Sequence, residues 1–463
     1  MPTPAQRGYL GSTLGNPMNK VRLQTNFGVM QSRYLPCIVA WAFIHAALCG
    51  GAQTFSFDFE GVNGLNGWVQ SDGQPVATGP GASGTTALSI AVDQINPERR
   101  VYHPIPFDPT KAYRYSAWTK VDQLPASTLV KLAWVDFSTG QMIYTNTYYL
   151  SGGYDAWKPA AVPPHFIPTA DYSSNPNAQF CIVLEVFASL SGIAWFDDVE
   201  VTMSDAATTS FIAARVMLGG TYTNGYMPAN LRSQNLLPAL EPYTALGHLQ
   251  AGGGGGETAP EAWWDFNNLD GPVDWVRVEL RSAVDPTIVV ATRQGFVNSL
   301  GSITGVDGGT ALVFNVPPGN YHLAVRHRNH LGCMTASPVF VQGAITVPWS
   351  SYGFVDFAAA ATPVWGTNAR KLGDTIYNYM VLWPGNTTGD GLVKYTGANN
   401  DRDPILQAIG GTVPTNTLNG VYNTNDVNMD GTVKYTGSFN DRDPILQTIG
   451  GTVPTLTKAE QLP

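Results

Sequence analysis

Charge is scarce in this chain. Only 13% of its 463 residues are Asp, Glu, Lys or Arg, against about 25% in an ordinary soluble domain. A long coiled coil, built mainly from Ala, Glu, Lys and Leu, is excluded. Basic charge is scarcer still: 25 Lys and Arg face 34 Asp and Glu, for a net charge of −9, which argues against a basic nucleic-acid binder. Cysteine is limited to four positions, Cys37, Cys49, Cys181 and Cys333, too few for a disulfide scaffold. Beyond residue 52 no apolar run approaches the roughly 18 residues that span a bilayer, and helical spacing of apolar residues is absent through the first two hundred. What is abundant is turn and aromatic sequence: 49 Gly, 33 Pro and 11% Phe, Trp and Tyr. At roughly 150 residues per domain, such a chain is expected to form about three turn-rich units with real cores.

Residues 1–52 read as a leader and secretory signal peptide. Arg33 precedes the uncharged stretch Leu35 to Cys49, and Gly50 and Ala52 supply small residues at −3 and −1 for cleavage after Ala52. Removing this segment takes away four basic residues (Arg7, Lys20, Arg22, Arg33) and no acidic one, leaving 21 basic against 34 acidic, net −13. An excess of acid in a secreted chain suits calcium or cationic partners. Cys37 and Cys49 leave with the signal, and Cys181 and Cys333, 152 residues apart, are expected to be free buried thiols.

From 53 to 204 the pattern is short aromatic and β-branched runs divided by Gly, Pro, Ser and Asn clusters, as at Tyr113 to Val121, Val130 to Phe137, Phe180 to Ala188 and Ile193 to Met203. Many short strands with no crossover helix predict a β-sandwich. Sugar binding would need exposed aromatic platforms, for which Trp118, Trp134, Tyr148, Tyr149 and Trp157 are the candidates. Glu185 lies in the middle of an otherwise apolar strand, where an unpaired carboxylate is costly, so it faces a groove or a buried partner. The segments FDFEG (57–61), ALSI (87–90), YSAWTK (115–120) and AWFDDVEV (194–201) together resemble jelly-roll carbohydrate-binding modules of secreted polysaccharide-degrading enzymes. That resemblance implies a structural calcium held by Glu60 and Asp198; the alternative is that Asp197 and Asp198 cap a strand end in solvent.

Residues 211–348 carry a second set of strands, including Val273 to Arg281 and Asn320 to Arg326, and loosely resemble small immunoglobulin-like or transthyretin-like sandwiches. A long polar loop there contains Gly252 to Gly256, read as flexible backbone that lacks the Lys-Ser/Thr of a phosphate-binding loop. His322, His327, His330 and Cys333 are residue types that zinc accepts, but on an extended strand His327 and His330 point to opposite faces. Hydrogen bonding across the sandwich is the expected role. Residues 349–382 read as a linker and 456–463 as a tail.

The strongest signal is a duplication within 383–455. KYTGANNDRDPILQAIGGTVPT (394–415) and KYTGSFNDRDPILQTIGGTVPT (434–455) match at 19 of 22 positions with an offset of 40. Before the second copy, Asp426, Asn428, Asp430 and Gly431 open an EF-hand-type calcium loop: oxygens at positions 1, 3 and 5 and a glycine for the sharp turn. Thr432 would add its backbone carbonyl at position 7. Gly437 falls where the closing acid is usual, and Asp441 is the best replacement. The first unit offers Asn386, Thr388, Asp390, Leu392 and Asp401, with fewer charges and therefore weaker expected binding. Each loop is followed by a short helix, for which Asp443 is the expected N-cap, Pro444 the first helical residue and Gly450 the stop. A tandem loop-helix pair of this kind resembles a dockerin, which implies a cohesin-like protein partner.

The chain is thus expected to be mainly β, with two consecutive sandwiches, jelly roll then immunoglobulin- or transthyretin-like, and a small loop-helix calcium module. The function that fits is a secreted, extracellular or cell-surface, non-catalytic binder of polysaccharide that uses calcium and docks through its C-terminal repeat. The alternatives are a glycosidase or lyase on the first jelly roll with Glu185 in its groove, and a purely structural surface protein.

Overall fold

The computed structural model describes residues 52–463 apart from 123–125, 152–155, 161–166, 169, 189–190, 266–270 and 345–352. The leader expected over 1–52 therefore lies almost wholly outside the described residues. Among the described residues no helix is long and apolar enough to cross a membrane.

Eleven strands make the first sandwich: β1 (Gln53–Phe57), β2 (Val69–Gln70), β3 (Val76–Thr78), β4 (Ala87–Val92), β5 (Glu98–Pro104), β6 (Lys111–Asp122), β7 (Ala126–Asp136), β8 (Gln141–Ser151), β9 (Lys158–Pro159), β10 (Ala178–Ala188) and β11 (Gly192–Asp205). One sheet runs β3-β4-β11-β6-β9, with β1 also on β11, and the other runs β2-β5-β10-β7-β8. The apolar run of β10 is buried on both faces. Phe180, Ile182, Leu184 and Val186 enter the core between the sheets, while Cys181 and Val183 join Tyr102, Ala133 and Val135 in a separate cluster on the other face. Strand β11 changes neighbour midway: Gly192 to Phe196 pair with β4 and Val199 to Met203 with β1. Its register slips between Asp197 and Glu200, and Asp198 takes a positive φ of 44°. A bulge of this kind re-aims side chains, and here it turns the two acids into the gap between β1 and β4.

The second unit contains β12 (Ser210–Arg215), α1 (Asn230–Ser233), β13 (Pro272–Ser282), β14 (Val289–Asn298), β15 (Ile303–Thr304), β16 (Leu312–Phe314), β17 (Gly319–His327), β18 (His330–Met334), β19 (Val339–Gly343) and β20 (Phe354–Asp356). Its layers are joined through β17-β19-β12, and Arg215 bridges to Ser302 near the opposite end of the order. The sheet thereby wraps one core, in which Ile212, Leu312 and Phe314 meet Val276, Leu280 and Val297.

Two segments are more tightly built than their composition suggested. The described part of the expected linker is woven into this unit: β20 pairs in parallel with β12, β21 (Arg370–Leu372) pairs with β22 (Met380–Leu382), and Phe357, Val381 and Leu382 are core. The physical reason is its apolar content, which finds a waiting face. The glycine run is pinned as well. Gly255 and Gly256 donate to Glu257 and Glu241 at 2.9 and 3.1 Å, and a Cβ at Gly254 would lie 2.2 Å from the Thr292 carbonyl oxygen. Glycine there permits close backbone approach rather than flexibility.

The C-terminal repeat comprises β23 (Leu392–Lys394), α2 (Arg402–Ala408), β24 (Thr417–Asn419), β25 (Thr432–Lys434), α3 (Arg442–Thr448) and β26 (Thr457–Ala459). The units exchange tails: β24 pairs with β25, and β26 returns to β23. Ile405, Ile409, Ile445 and Ile449 from the helices pack with Val393, Val427 and Val433, and Leu331 of β18 joins them. The tail is part of the fold, because Glu460 pairs with Arg326 at 2.8 Å and accepts the Gly332 N–H at 2.6 Å. Residues Gly50–Pro463 consequently form one compact unit.

Candidate functional site: the C-terminal carboxylate loops

The second loop closes on itself through its acids. Asp426 accepts the N–H groups of Asp430 (Oδ1, 3.1 Å) and Gly431 (Oδ2, 2.9 Å). Asn428 Oδ1 also accepts from Asp430 N at 2.9 Å, and Asp430 Oδ1 from Thr432 N at 2.9 Å. Gly431 sits at φ 82°, the left-handed turn a side chain resists. Asp441, eleven residues past Asp430 in sequence, is brought to the same loop. Its Oδ1 accepts from Val427 and Asn428 at 2.7 and 3.2 Å, and its Oδ2 from Lys434 at 2.7 Å.

This corrects the helix start. Asp441, not Asp443, is the N-cap of α3, and its side chain makes no capping bond because it points into the loop. Asn440 supplies the bond instead: its Oδ1 accepts from Asp443 N at 2.9 Å and its Nδ2 donates to Asp443 at 2.8 Å. Pro444 is therefore the third helical residue, where its missing N–H is still harmless.

Asp426 and Asp441 are both fully buried. Burial pushes the Asp441 carboxyl up to about 8, with Asp426 adding to the shift, and burial pushes Asp426 up to about 6. Two buried like charges are costly, and a cation between them would offset that cost. The donors are all oxygens, the set a hard divalent cation takes. Among the described residues no three His, Cys, Asp or Glu side chains converge to hold a metal ion; the loop presents two buried carboxylates, with Asn428 and Asp430 bonded into the same turn. The residues fit calcium in type.

The first loop keeps the frame with fewer charges. Asp401 accepts from Thr388 N and Oγ1, both at 3.1 Å, and from Lys394 N at 2.8 Å. Asp390 accepts from Leu392 N at 2.9 Å. Asn386 stands at position 1, buried, with its Oδ1 lacking any partner.

Elsewhere the expected site residues meet different fates. Trp134 is in the jelly-roll core. Trp118 and Trp157 lie in an aromatic cluster between the two sandwiches, Trp118 edge-on to Trp263 at 5.4 Å. All three are at most 4% exposed and cannot serve as sugar platforms; their apolar area is worth more in a core than in water. Tyr148 is on β8 opposite Lys131, with its side chain outside the described residues, as is that of Tyr149. Glu185 has buried partners rather than a groove: it pairs with Lys131 and, at 2.5 Å, with Arg100.

Glu60 and Asp198 reach the same end of the sandwich, where the turn Ser83 to Thr86 occupies them. Glu60 accepts from Thr85 N and Thr86 N at 2.6 and 2.7 Å, and Asp198 from Ser83 Oγ at 2.6 Å. The chain ends are held by the β1–β11 ladder itself. Beside them, Asp58, Asp198, Glu200 and Asp307 line a cavity of about 320 Å³ with Trp118 in its wall. Partial burial raises the carboxyl of Asp198; that of Glu200, whose residue remains exposed, is raised by desolvation and by the neighbouring Asp307 and Asp198 charges.

The histidines make side-chain hydrogen bonds. His322 Nδ1 donates to the Thr335 carbonyl at 3.0 Å, while His327 lies 2.9 Å from His330 and 3.1 Å from Asp274. Asp274 also accepts from Arg328 Nε at 3.0 Å and Tyr422 Oη at 2.7 Å. Asp274 shares its strand with Arg277, Glu279 and Arg281, so it lacked the lone-acid signature that marked Glu185 on β10. Cys181 and Cys333 are free and buried.

No protein-family model and no curated protein matches this chain. Solved structures similar to part of this chain include the C-terminal family 22 carbohydrate-binding module of Clostridium thermocellum Xyn10B (16% identity, 33% of this chain and 93% of that one, TM-score 0.24). Others are a family 22 xylan-binding domain (17%, 33% and 94%, 0.25) and the family 11 module of the Clostridium thermocellum cellulase Lic26A-Cel5E (13%, 33% and 95%, 0.22). Likeness at this level assigns neither ligand nor site.

Proposed function

We propose that this chain is a secreted, non-catalytic, calcium-dependent binding protein whose jelly roll takes polysaccharide and whose C-terminal repeat binds calcium. The observation that carries the calcium reading is the pair Asp426 and Asp441, two buried carboxylates closed into one loop by five backbone N–H groups. The polysaccharide reading rests on the jelly-roll sandwich and on the sequence segments that resemble such modules. An open face around Thr388, Asp390, Asn399 and Gln407 is available to a cohesin-like partner. Calorimetric titration of the full chain should show calcium binding that Asp441→Ala weakens, and a chelator should lower the unfolding temperature. A chain with no calcium heat and no chelator effect refutes the calcium reading. A glycan array probed with the same chain tests the polysaccharide; binding to none of its glycans leaves the structural role.

One observation favours a hydrolytic second reading: the acidic cavity with raised Asp198 and Glu200 carboxyls, the environment that suits a general acid. Release of reducing ends from any glycan that binds, abolished by Glu200→Gln, would establish it. No release, at any pH, dismisses it.

A further inference from the structure

The turn of the β17–β18 hairpin, His327 to His330, enters the repeat between its two loops. Asn329 at its tip is fully buried. Its carbonyl oxygen accepts the N–H groups of Gly385 and Asn386 at 2.9 and 3.0 Å, and its Nδ2 donates to the carbonyls of Thr424 and Asp426 at 3.2 and 2.7 Å. One residue of the second sandwich therefore bonds the backbone of position 1 in both loops. The remaining side-chain oxygen, Oδ1, accepts from His330 Nδ1 at 2.8 Å, which fixes the amide's orientation.

The surrounding contacts repeat this arrangement. Arg328 donates to the Asn423 carbonyl, and Leu331 N to the Trp383 carbonyl at 2.9 Å. Gln234, just past α1, donates to the Asp430 carbonyl at 2.8 Å. Gly220 lies so close to the second loop that a Cβ there would be 2.1 Å from the Val427 carbonyl oxygen. Positions 1, 2 and 5 of that loop are thus set by groups outside the repeat.

Resting on the calcium reading above, we propose that the hairpin turn is a shared wall of both calcium loops, with Asn329 as the positioning residue that couples cation binding to seating of the repeat on the second sandwich. The physical basis is that a calcium loop binds well only when its oxygens are held in advance. Here the backbone of the first residue in each loop is held by the same residue, through its side chain in the second loop and its carbonyl in the first. In Asn386, the buried Oδ1 with no partner lies on the residue whose N–H Asn329 fixes. Calcium and the hairpin then stabilise the same loop geometry, and each strengthens the other by linkage.

The test is calcium titration of the full chain and of Asn329→Ala, with circular dichroism to establish that both are folded. Alanine removes the Nδ2 bonds to Thr424 and Asp426 but keeps the carbonyl that holds Gly385 and Asn386, so binding should weaken about tenfold or more at the second loop and less at the first. A folded Asn329→Ala that binds calcium at the second loop as the wild type does overturns the proposal while leaving the calcium reading intact. No binding by the wild type removes both. If Asn329→Ala does not fold, the wild type decides by amide hydrogen exchange: calcium must slow exchange in residues 327–331 as well as in the loops, and protection confined to the loops refutes the coupling.

Discussion

Tyr422, in the connection between the two repeat units, donates its hydroxyl proton to Asp274 of the second sandwich at 2.7 Å, across 148 residues of sequence. Asp274 is fully buried and also receives Arg328 and His327. The bond belongs to a polar network that joins the repeat to the sandwich. Tyr422→Phe should cost about 1–3 kcal/mol, because Asp274 loses one donor in a site water does not reach. Asp274→Ala should cost more, about 3–5 kcal/mol, since it leaves the Arg328 charge buried and unpaired. Urea unfolding of both variants is the measurement; equal effects, or none, contradict this network.

The same network predicts acid sensitivity. His330 Nε2 accepts the Gly220 N–H at 2.9 Å, so its proton is on Nδ1, and His327 accordingly donates from Nε2 to Asp274. Both rings are neutral, and burial pushes both below the usual imidazole range. The unfolded chain takes up protons near pH 6.5 and the folded one does not, so stability is complete above that pH and falls as pH drops. The slope is about 1.4 kcal/mol per pH unit for each histidine. Burial alone would raise Asp274, but Arg328 and His327 overcome it and hold the carboxyl at about 2; its contribution is retained above pH 4 and lost toward pH 2. Unfolding midpoints measured from pH 8 to 5 should hold down to about pH 6.5 and fall below it, and a flat profile would count against neutral buried rings.

Glu185→Ala should unfold or strongly destabilise the jelly roll, by about 3–5 kcal/mol, because Lys131 is then a buried cation with no counter-charge. Glu185→Met with Lys131→Met should recover much of the loss, since matched apolar groups replace the pair. Thermal unfolding of the single and double variants distinguishes this from a ligand-contact role, for which neither variant would change stability.

The two carboxylate loops differ in charge at position 1, Asp426 against Asn386. Asn386→Asp should tighten the weaker calcium step, because an added carboxylate raises affinity in such loops. Calorimetry of the full chain should show that step strengthened and the other unchanged. A weakened step would mean that burial of the new charge outweighs its attraction for the cation.

Part of this was legible from residues alone. Alternation and turn clusters marked the strands, and the 40-residue repeat with Asp426, Asn428 and Asp430 marked the loop, since each depends on neighbours a few positions apart. Asp441 as the closing acid was also readable, from its distance to Ile445 and Ile449. The tryptophans were not: Trp118 has the same local setting whether it faces solvent or Trp263, and only the meeting of two sandwiches buries it. The linker was misjudged for a related reason, because a short apolar strand such as Phe354–Asp356 has no signature until β12 offers it an edge.

By itself the sequence determined the β class, the duplication and the chemistry of the loops, because side-chain type and short-range spacing dictate local backbone and donor set. Tertiary structure alone decided which groups are paired. Glu185 finds Lys131, Asp274 finds Tyr422, and Asn329 reaches both loops, through contacts between residues 54 to 148 positions apart. Burial and pairing are properties of packed surfaces, and no local window of the chain contains them.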